Sequence, residues 1–417
     1  MLIVVGAGAA GLMAALQASR AGASVLLLER NEKAGKKIYI TGKGRCNVTN
    51  DCTRDEFLRE VARNPRFLYS ALSFFSPQDM MTLLESAGCP VTVQRGRRVF
   101  PSSEKASDVT RALLSLLSRE DVRLRLNTRV SGIRAENGAV SGVTLEDGSF
   151  LPADGVILAT GGFSYPSTGS TGDGYRFASA LGHTVASPRP VLVGLETSAD
   201  WPKKLQDLSL RNVTLTLKQG KKTLYTELGE LLFTHFGISG PLALEASCHL
   251  PEDLSSAVLT LDLKPGLTRD QLDARLRREF EAAGKKQLRN VLPSLLPAAF
   301  AAVFPSVLGL PEDLICSQIT AAQREALLQG LKSLPVPVRD SRPVEEAVVT
   351  RGGVSVKEID PATMESRLLP GLYFAGELID TDAHTGGYNL QIAFSTGALA
   401  GYSAALRGQA KEGASDI

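Results

Sequence analysis

Three glycines near the N-terminus, Gly6, Gly8 and Gly11, lie between a short apolar run and a segment with helical periodicity. In this context the first glycine permits a tight turn, the second lets the backbone approach a pyrophosphate, and the third allows close helix packing. The helix N-terminus adds free N–H groups and a positive dipole end. Glu29 ends the next apolar run, where its carboxylate can accept hydrogen bonds from ribose hydroxyls and disfavours a 2′-phosphate. The pattern predicts a site for FAD or NAD rather than NADP.

Later glycine-rich segments favour FAD over NAD. Residues 157–162, ILATGG, have the pattern of a strand and turn that passes near the dinucleotide. Residues 371–377, GLYFAGE, precede 386–401, GGYNLQIAFSTGALAG, which read as a glycine turn and a helix directed at the flavin pyrimidine ring. A helix dipole there would stabilise the negative charge of reduced flavin. The alternative is a glycine-rich packing turn.

Residues 36–50, KKIYITGKGRCNVTN, interleave cationic side chains with Gly42 and Gly44. Backbone amides and charged groups can converge there on a phosphate or on the N5 edge of a flavin, although a solvated basic loop is the simpler interpretation. Cys46 is either a thiol with a lowered pKa or a small packed residue. The cationic residues are Lys36, Lys37, Lys43 and Arg45.

The elements that position these residues predict an α/β fold. A strand at 2–5, a helix at about 10–21 and the strand in SVLLLER form a β-α-β unit and hence a parallel sheet. Short alternating segments between 122 and 161 indicate a β-meander that returns to this sheet. We therefore expect a discontinuous FAD-binding Rossmann-like domain, 1–188 with 345–417, interrupted by an inserted domain at 189–344.

Composition excludes several classes of protein. The 417 residues carry 46 Lys and Arg against 44 Asp and Glu, and this net charge of +2 gives no broad footprint for nucleic acid or an anionic membrane. Five cysteines without a C-x-x-C pair indicate free thiols in a reducing cytoplasm and no metal site. No apolar run is long enough to span a bilayer. We expect a soluble, cytoplasmic monomer or homodimer acting on a small-molecule substrate.

Six blocks of sequence resemble, in the same order, the BaiN/YhiN-like bacterial flavoproteins, also called the aminoacetone oxidase family. The matches run from residue 1 to about 405. The resemblance implies a split FAD domain interrupted by a β-barrel-containing insert with a small helical part. The blocks are GAGAAGLMAA, ITGKGRCNVTN, FPSSEKASDV, ATGGFSYPSTGSTGDGY, ELLFTHFGISGP and GELIDTDAHTGGYNLQIAFSTG.

The resemblance also implies non-covalent FAD contacts at positions matched by these motifs. They are Gly6, Ala10, Gly11, Glu29, Lys36, Lys37, Thr41, Gly42, Arg45, Asn47, Val130, Glu377, Asn389 and Leu390. From the residue patterns we expect further contacts at Gly8, Arg30, Gly44, Cys46, Thr160, Gly161 and Gly376.

Acid–base candidates are few because the chain has only four histidines. His384 and Tyr388 flank the glycine turn that precedes the C-terminal helix, and His235 belongs to the insert, where it would close over the substrate. Arg351 and Tyr165 are weaker candidates for holding a carboxylate or carbonyl. A hydrogen-bonded structural histidine is the alternative at both histidine positions.

The predicted activity is that of an FAD-dependent oxidoreductase. The resemblance leaves two reactions open: oxidation of a small amino ketone or amine by oxygen, and reduction of conjugated double bonds in oxo bile acids. Residues 169–174, GSTGDG, lack the spacing and preceding strand of a second dinucleotide unit, so NAD(P)H would bind only transiently, or the substrate itself reduces the flavin. A flavin-containing RNA-modifying protein and a non-catalytic flavin-binding module are the rival interpretations.

Overall fold

A computed structural model describes residues 1–251 and 253–415, with the backbone alone for 409–415. Its α-helices are α1 (Ala9–Arg20), α2 (Lys36–Ile40), α3 (Arg54–Arg59), α4 (Tyr69–Phe74), α5 (Pro77–Ser86), α6 (Ala106–Leu117), α7 (Asp173–Ala180), α8 (Gly240–Ser247), α9 (Arg269–Ala283), α10 (Ala298–Val307), α11 (Ala321–Ser333) and α12 (Tyr388–Ser415). Within the described ranges, no helix is long and apolar enough to cross a membrane.

The strands of the first half are β1 (Leu2–Val5), β2 (Val25–Leu28), β3 (Thr49–Asn50), β4 (Val61–Arg63), β5 (Val91–Gln94), β6 (Arg98–Pro101), β7 (Val122–Arg125), β8 (Val130–Glu136), β9 (Ala139–Leu145), β10 (Phe150–Pro152), β11 (Gly155–Leu158) and β12 (Val185–Val191). Those of the second half are β13 (Leu195–Thr197), β14 (Ser209–Gln219), β15 (Lys222–Phe233), β16 (Gly237–Ser239), β17 (Ala257–Asp262), β18 (Leu334–Pro335), β19 (Val338–Ser341), β20 (Val349–Val354), β21 (Leu372–Phe374) and β22 (Asp382–Ala383).

The chain divides into two compact units. The first combines Met1–Pro190 with the chain from Val344 onward, and the second is Val191–Pro343. Each unit has its own hydrophobic core. The fold class is α/β, as predicted.

The first unit is built on a five-stranded parallel sheet in the order β21-β11-β1-β2-β7. Strands β1, β2 and β11 are buried along their whole length, which explains their uninterrupted apolar sequences. Strand β7 pairs with β2 in register Val25↔Val122, so it extends the parallel sheet and is not part of the meander. The meander itself is the antiparallel sheet β10-β9-β8.

Helix α12 packs along α1, and two glycines allow the close approach. A methyl group added at Gly397 would lie 2.2 Å from the carbonyl oxygen of Ala10, and one at Gly401 would lie 2.1 Å from that of Ala14. Helix α12 therefore packs on α1, the helix that follows the glycine motif. In this way the C-terminal part of the chain forms part of the first unit.

The second unit contains a seven-stranded antiparallel sheet, β18-β17-β14-β15-β16-β13-β19, together with helices α8 to α11. Strands β14 and β15 form a long hairpin that pairs from Ser209↔Leu232 to Gln219↔Lys222. Helix α9 begins after Thr268, which caps it and forms a capping box with Gln271.

Candidate active site

The glycine motif forms the tight turn between β1 and α1. A methyl group added at Gly11 would lie 1.7 Å from the carbonyl oxygen of Gly6, so this glycine is required by the fold itself. One added at Gly8 would meet no protein atom within 4 Å, and Gly8 has φ −81°, which any residue can adopt. The open space in front of Gly8, beside the free N–H groups of the α1 N-terminus, fits a pyrophosphate.

Glu29 lies at the carboxyl end of β2 and is 7% exposed. One carboxylate oxygen accepts a hydrogen bond from the Ala7 N–H at 2.8 Å, and the other accepts two from Asn31, from its backbone and side-chain nitrogens. The glycine turn and the acid are thus bonded to each other directly. Val130 is near, because Thr128 donates its backbone N–H to the Glu29 carbonyl oxygen.

Two predicted FAD contacts carry buried polar atoms that bond to nothing in the described protein. These atoms are the side-chain oxygen of Asn47 and the hydroxyl of Thr160. Buried polar groups of this kind are normally satisfied, so each orphaned atom indicates a missing partner. Together with the space at Gly8 and the acid at Glu29, they fit a bound FAD.

A network around Glu377 joins four distant parts of the first unit. Lys37 donates to the Glu377 carboxylate at 2.5 Å and to the Ser164 hydroxyl at 2.6 Å. The same carboxylate accepts hydrogen bonds from the Ser164 hydroxyl at 2.8 Å and from the Thr350 N–H at 2.7 Å. Lys37 and Glu377, both predicted to contact FAD, are therefore brought together, and Glu377 is held rigidly at the end of β21.

The start of α12 is fixed by Asn389. Its side-chain oxygen accepts the Ala383 N–H at 3.0 Å, and its side-chain nitrogen donates to the carbonyl oxygens of Ala383 and His384. These bonds use the Asn389 side chain. The predicted contact with FAD would therefore be made by the backbone N–H groups of Asn389 and Leu390, which lie in the first turn of α12. At Gly387 an added methyl group would lie 2.4 Å from the Thr49 carbonyl oxygen, so the turn also requires its glycine.

The loop before α12 is anchored by two ion pairs that sequence reasoning missed. Arg351 binds the buried Asp382 in a bidentate pair, with distances of 2.9 and 2.6 Å. Arg63 donates to Asp380 at 2.6 Å. The guanidinium of Arg351, a weak candidate for holding substrate, is therefore engaged by Asp382. The two acids in DTDAHTGGYN were the only local signal for this anchoring.

The basic segment 36–50 forms the short helix α2 and a compact turn rather than an open loop. The Cys46 N–H donates to the Thr41 carbonyl oxygen at 3.0 Å, and a methyl group added at Gly42 would touch the Asn47 nitrogen. The Cys46 side chain is fully buried, and burial raises the pKa of its thiol to about 12. It is a packed residue and not a reactive thiol.

Charged residues predicted to bind FAD are held in pairs. Lys36 binds Glu32, and Arg45 binds Glu104 while lying 4.3 Å from the centre of the Phe100 ring. Arg30 donates to the Thr171 hydroxyl and to Asp173. The remaining predicted contacts are three glycines: Gly44 after α2, Gly161 after β11 and Gly376 against Ala10 of α1.

The acid–base candidates separate between the two units. His384 and Tyr388 lie in the first unit, and the His384 N–H donates to the Glu60 carbonyl oxygen at 3.0 Å. The Tyr388 ring packs edge-on against Phe57 at 5.1 Å, and burial raises the pKa of its phenol. His235 is an exposed residue of the second unit beside Phe236, and its role stays a prediction. Tyr165 has φ +52° and its N–H donates to the Glu345 carbonyl oxygen.

These features agree with comparisons to known proteins. A family model described as the HI0933-like protein Rossmann domain matches residues 1–403. The chain belongs to the HI0933-like family. This membership confirms the resemblance to BaiN/YhiN-like flavoproteins.

Two relatives span nearly the whole chain. The 3-dehydro-bile acid delta(4,6)-reductase of Clostridium scindens is 32% identical over 97% of this chain and 98% of its own length. The ribosomal RNA dihydrouridine synthase of Escherichia coli is 30% identical over 94% of this chain and 95% of its own. A solved 3-ketosteroid-delta4-(5alpha)-dehydrogenase from Rhodococcus jostii has a TM-score of 0.55 at 17% identity, over 97% of this chain and 96% of that chain, and shows a shared fold.

The family and the site together establish the class of protein. The HI0933-like chain is an FAD-dependent oxidoreductase with a Rossmann-like FAD-binding domain. Which substrate it reduces or oxidises is a separate question, because the two relatives differ in the size and nature of what they act on.

Proposed function

We propose that this protein reduces a carbon–carbon double bond conjugated to a carbonyl group. The observation that carries the proposal is the similarity, over nearly the whole chain, to two relatives whose names describe one chemistry on different substrates. A 3-oxo bile acid with 4,6-unsaturation has such a bond. A uracil base has one too, because its C5=C6 bond is conjugated to the C4 carbonyl.

The reaction needs a hydride, a proton and stabilisation of the carbonyl oxygen. FAD held at the glycine motif and Glu29 would, once reduced, supply the hydride that the carbon remote from the carbonyl needs. The adjacent carbon then takes a proton, which the protein must hold close by. NAD(P)H, bound transiently, is the proposed source of the reducing equivalents.

Tyr388 and His384 are the proposed proton-holding groups of this site. A phenol with an ordinary pKa keeps its proton at neutral pH, and burial raises the pKa of the Tyr388 phenol further. The anchored loop fixes both residues, since Asn389 bonds to the backbone of Ala383 and His384. A protonated, positioned phenol is able to donate to the substrate carbon or to the carbonyl oxygen.

Substituting Tyr388→Phe tests the proton-donor role. We expect the reduction of an enone substrate to slow by about 10²- to 10⁴-fold, while reduction of the flavin by NAD(P)H keeps its rate. Anaerobic stopped-flow absorbance measures the two half-reactions separately. Tyr402→Phe is the matched control, because Tyr402 is a partly exposed tyrosine of α12 that packs on Phe74. Equal rates in wild type and Tyr388→Phe would remove Tyr388 from the mechanism.

The direction of electron flow tests the function itself. The protein, purified with FAD, is mixed anaerobically with NADH or NADPH and then with a conjugated enone, and we expect the flavin to bleach and then to reoxidise. Bleaching by an amine alone, followed by reoxidation only with oxygen, would show an oxidase and refute the proposal.

A further inference from the structure

The surface beside α3 and β4 carries a recess that the FAD site does not use. It is lined by Leu58, Arg59, Pro65, Arg66 and Tyr69 and has a volume of about 400 Å³. Leu58 and Pro65 give it an apolar floor, and Arg59, Arg66 and Tyr69 are exposed. We call these five residues the arginine recess.

The two arginines of the recess are free to bind an anion. Among the described residues, neither Arg59 nor Arg66 has a carboxylate within ion-pair distance. Other arginines nearby are neutralised, since Arg54 pairs with Asp55 and Arg97 with Glu56. The unpaired charge is therefore concentrated at the arginine recess.

Tyr69 presents an aromatic surface whose position is fixed. The Arg54 guanidinium lies 3.9 Å from the centre of the Tyr69 ring and donates to the Ser73 hydroxyl at 2.8 Å. Ser73 in turn donates to the Tyr69 carbonyl oxygen at 2.8 Å. Tyr69 as a whole is 50% exposed although its ring is held in this way. An ordered, exposed tyrosine that lines the same recess as two unpaired arginines has the composition of a stacking site for a nucleobase.

The arginine recess lies next to the anchored loop of the candidate active site. Strand β4 pairs with β22, and Arg63, between Arg59 and Arg66 in sequence, donates to Asp380. Glu60, the residue after Arg59, accepts the His384 N–H through its carbonyl oxygen. A chain bound in the arginine recess therefore runs beside the loop that carries His384 and Tyr388.

We infer that the arginine recess binds single-stranded RNA and brings a uracil base to the flavin. Two unpaired cations suit successive phosphates better than the single carboxylate of a bile acid, and the tyrosine with its apolar floor suits a base. Flavin chemistry on a base requires it to leave its stack, so a docking site for unpaired RNA beside the reacting site meets that need. The assignment rests on the proposed reduction, for which uracil is a conjugated substrate.

The test measures binding of a labelled single-stranded oligouridylate to the FAD-loaded protein by fluorescence anisotropy at several salt concentrations. We expect Arg59→Gln/Arg66→Gln to weaken binding about tenfold or more and to reduce the slope of log K against log salt by about 1.4. The control is Arg278→Gln/Lys285→Gln, which removes the same charge from exposed residues on and just after α9. Equal losses in the two double variants would show general electrostatics and overturn the assignment.

Stacking is tested separately at Tyr69. Tyr69→Ala should weaken RNA binding by about 5- to 150-fold, whereas Tyr69→Phe, which keeps the ring, should leave it nearly unchanged. Binding that is unaffected by Tyr69→Ala would also overturn the assignment. Reduction of a free enone by the same variants reads out the proposed function independently. Enone reduction without recess-dependent RNA binding would refute the docking site alone, and RNA binding without any reduction would refute the function alone.

Discussion

Two glycines of one motif have different physical reasons to be glycine. Gly11 has no room for a side chain, because a methyl group there would collide with the Gly6 carbonyl oxygen at 1.7 Å. Gly8 has room within the protein itself and an ordinary backbone conformation. The fold therefore requires Gly11, whereas the open space at Gly8 fits a ligand.

Substituting Gly8→Val should separate cofactor binding from folding. We expect FAD affinity to fall by about 5- to 150-fold, the equivalent of about 1–3 kcal/mol of steric cost, with a smaller loss of apoprotein stability than Gly11→Val causes. Gly11→Val is the contrasting variant, which should lower the stability of the apoprotein. FAD titration by fluorescence quenching and thermal melts measure the two effects. If Gly8→Val bound FAD with the affinity of the wild type, the pyrophosphate would not bind in front of Gly8.

At the scale of elements, the pairing of α1 with α12 joins the first helix to the last. Gly397 and Gly401 lie one turn apart on α12 and bring its backbone against α1. Two glycines spaced in this way indicate a close helix contact. The sequence alone does not identify which of several helices packs against α12. The contact places the N-terminus of α12 and the glycine motif on the same unit.

Substituting Gly397→Ala tests that contact. The added methyl group would lie 2.2 Å from backbone of α1, so we expect the free energy of unfolding to fall by about 1–3 kcal/mol. Gly408→Ala is the matched control in the same helix, because an added methyl group there meets nothing within 4 Å. It should stabilise the protein by about 0.5–1 kcal/mol through the lower entropy of the unfolded chain. If urea unfolding showed that both variants raise the free energy of unfolding, or that both lower it, the result would contradict this packing.

Local patterns predicted several elements closely. The predicted strand at 2–5 agrees with β1, and the helix predicted at about 10–21 is α1, Ala9–Arg20. The glycine turn and Glu29 could be placed because β-α-β geometry brings neighbouring strand ends together. Strand β7 was misplaced in the meander because an edge strand with alternating polarity has the same local pattern in either sheet.

Side-chain pairings across the sequence could not be predicted. Lys37 and Glu377 are 340 residues apart, and Arg63 and Asp380 are 317 apart. Hydrophobic periodicity indicates which face of a helix or strand is buried. It does not indicate which charged residue, distant in sequence, lies opposite a given side chain. The ion pairs that anchor the loop before α12 could not be predicted from the sequence for this reason.

At the scale of the whole molecule, a net charge of +2 conceals how the charge is distributed. It is a sum over the chain, and it argued against a nucleic-acid surface. Binding depends on unpaired groups in one place, and most arginines near the arginine recess are neutralised while Arg59 and Arg66 are not. Whether a surface can bind an anion therefore depends on which charged side chains form ion pairs there, and the sequence alone does not show those pairs.

The pH dependence of overall stability should carry a contribution from His183. This residue is 4% exposed, its Nε2 lies 2.8 Å from the Ser366 hydroxyl, and its Nδ1 has no partner among the described residues. Burial lowers the pKa of the imidazole below the usual value of 6.5, because a charged ring loses its hydration.

The sign of the effect follows from proton binding. As pH falls below about 6.5, the unfolded chain takes up a proton on His183 before the folded chain does, so the free energy of unfolding decreases until the lowered folded pKa is passed. His183→Gln keeps a polar group for Ser366 and cannot titrate. Urea unfolding at a series of pH values should therefore show a smaller loss of stability with acid in His183→Gln than in wild type. Parallel pH profiles for the two proteins would mean that the folded protein accommodates a charged His183, and that the buried ring is not the group that limits stability in mild acid.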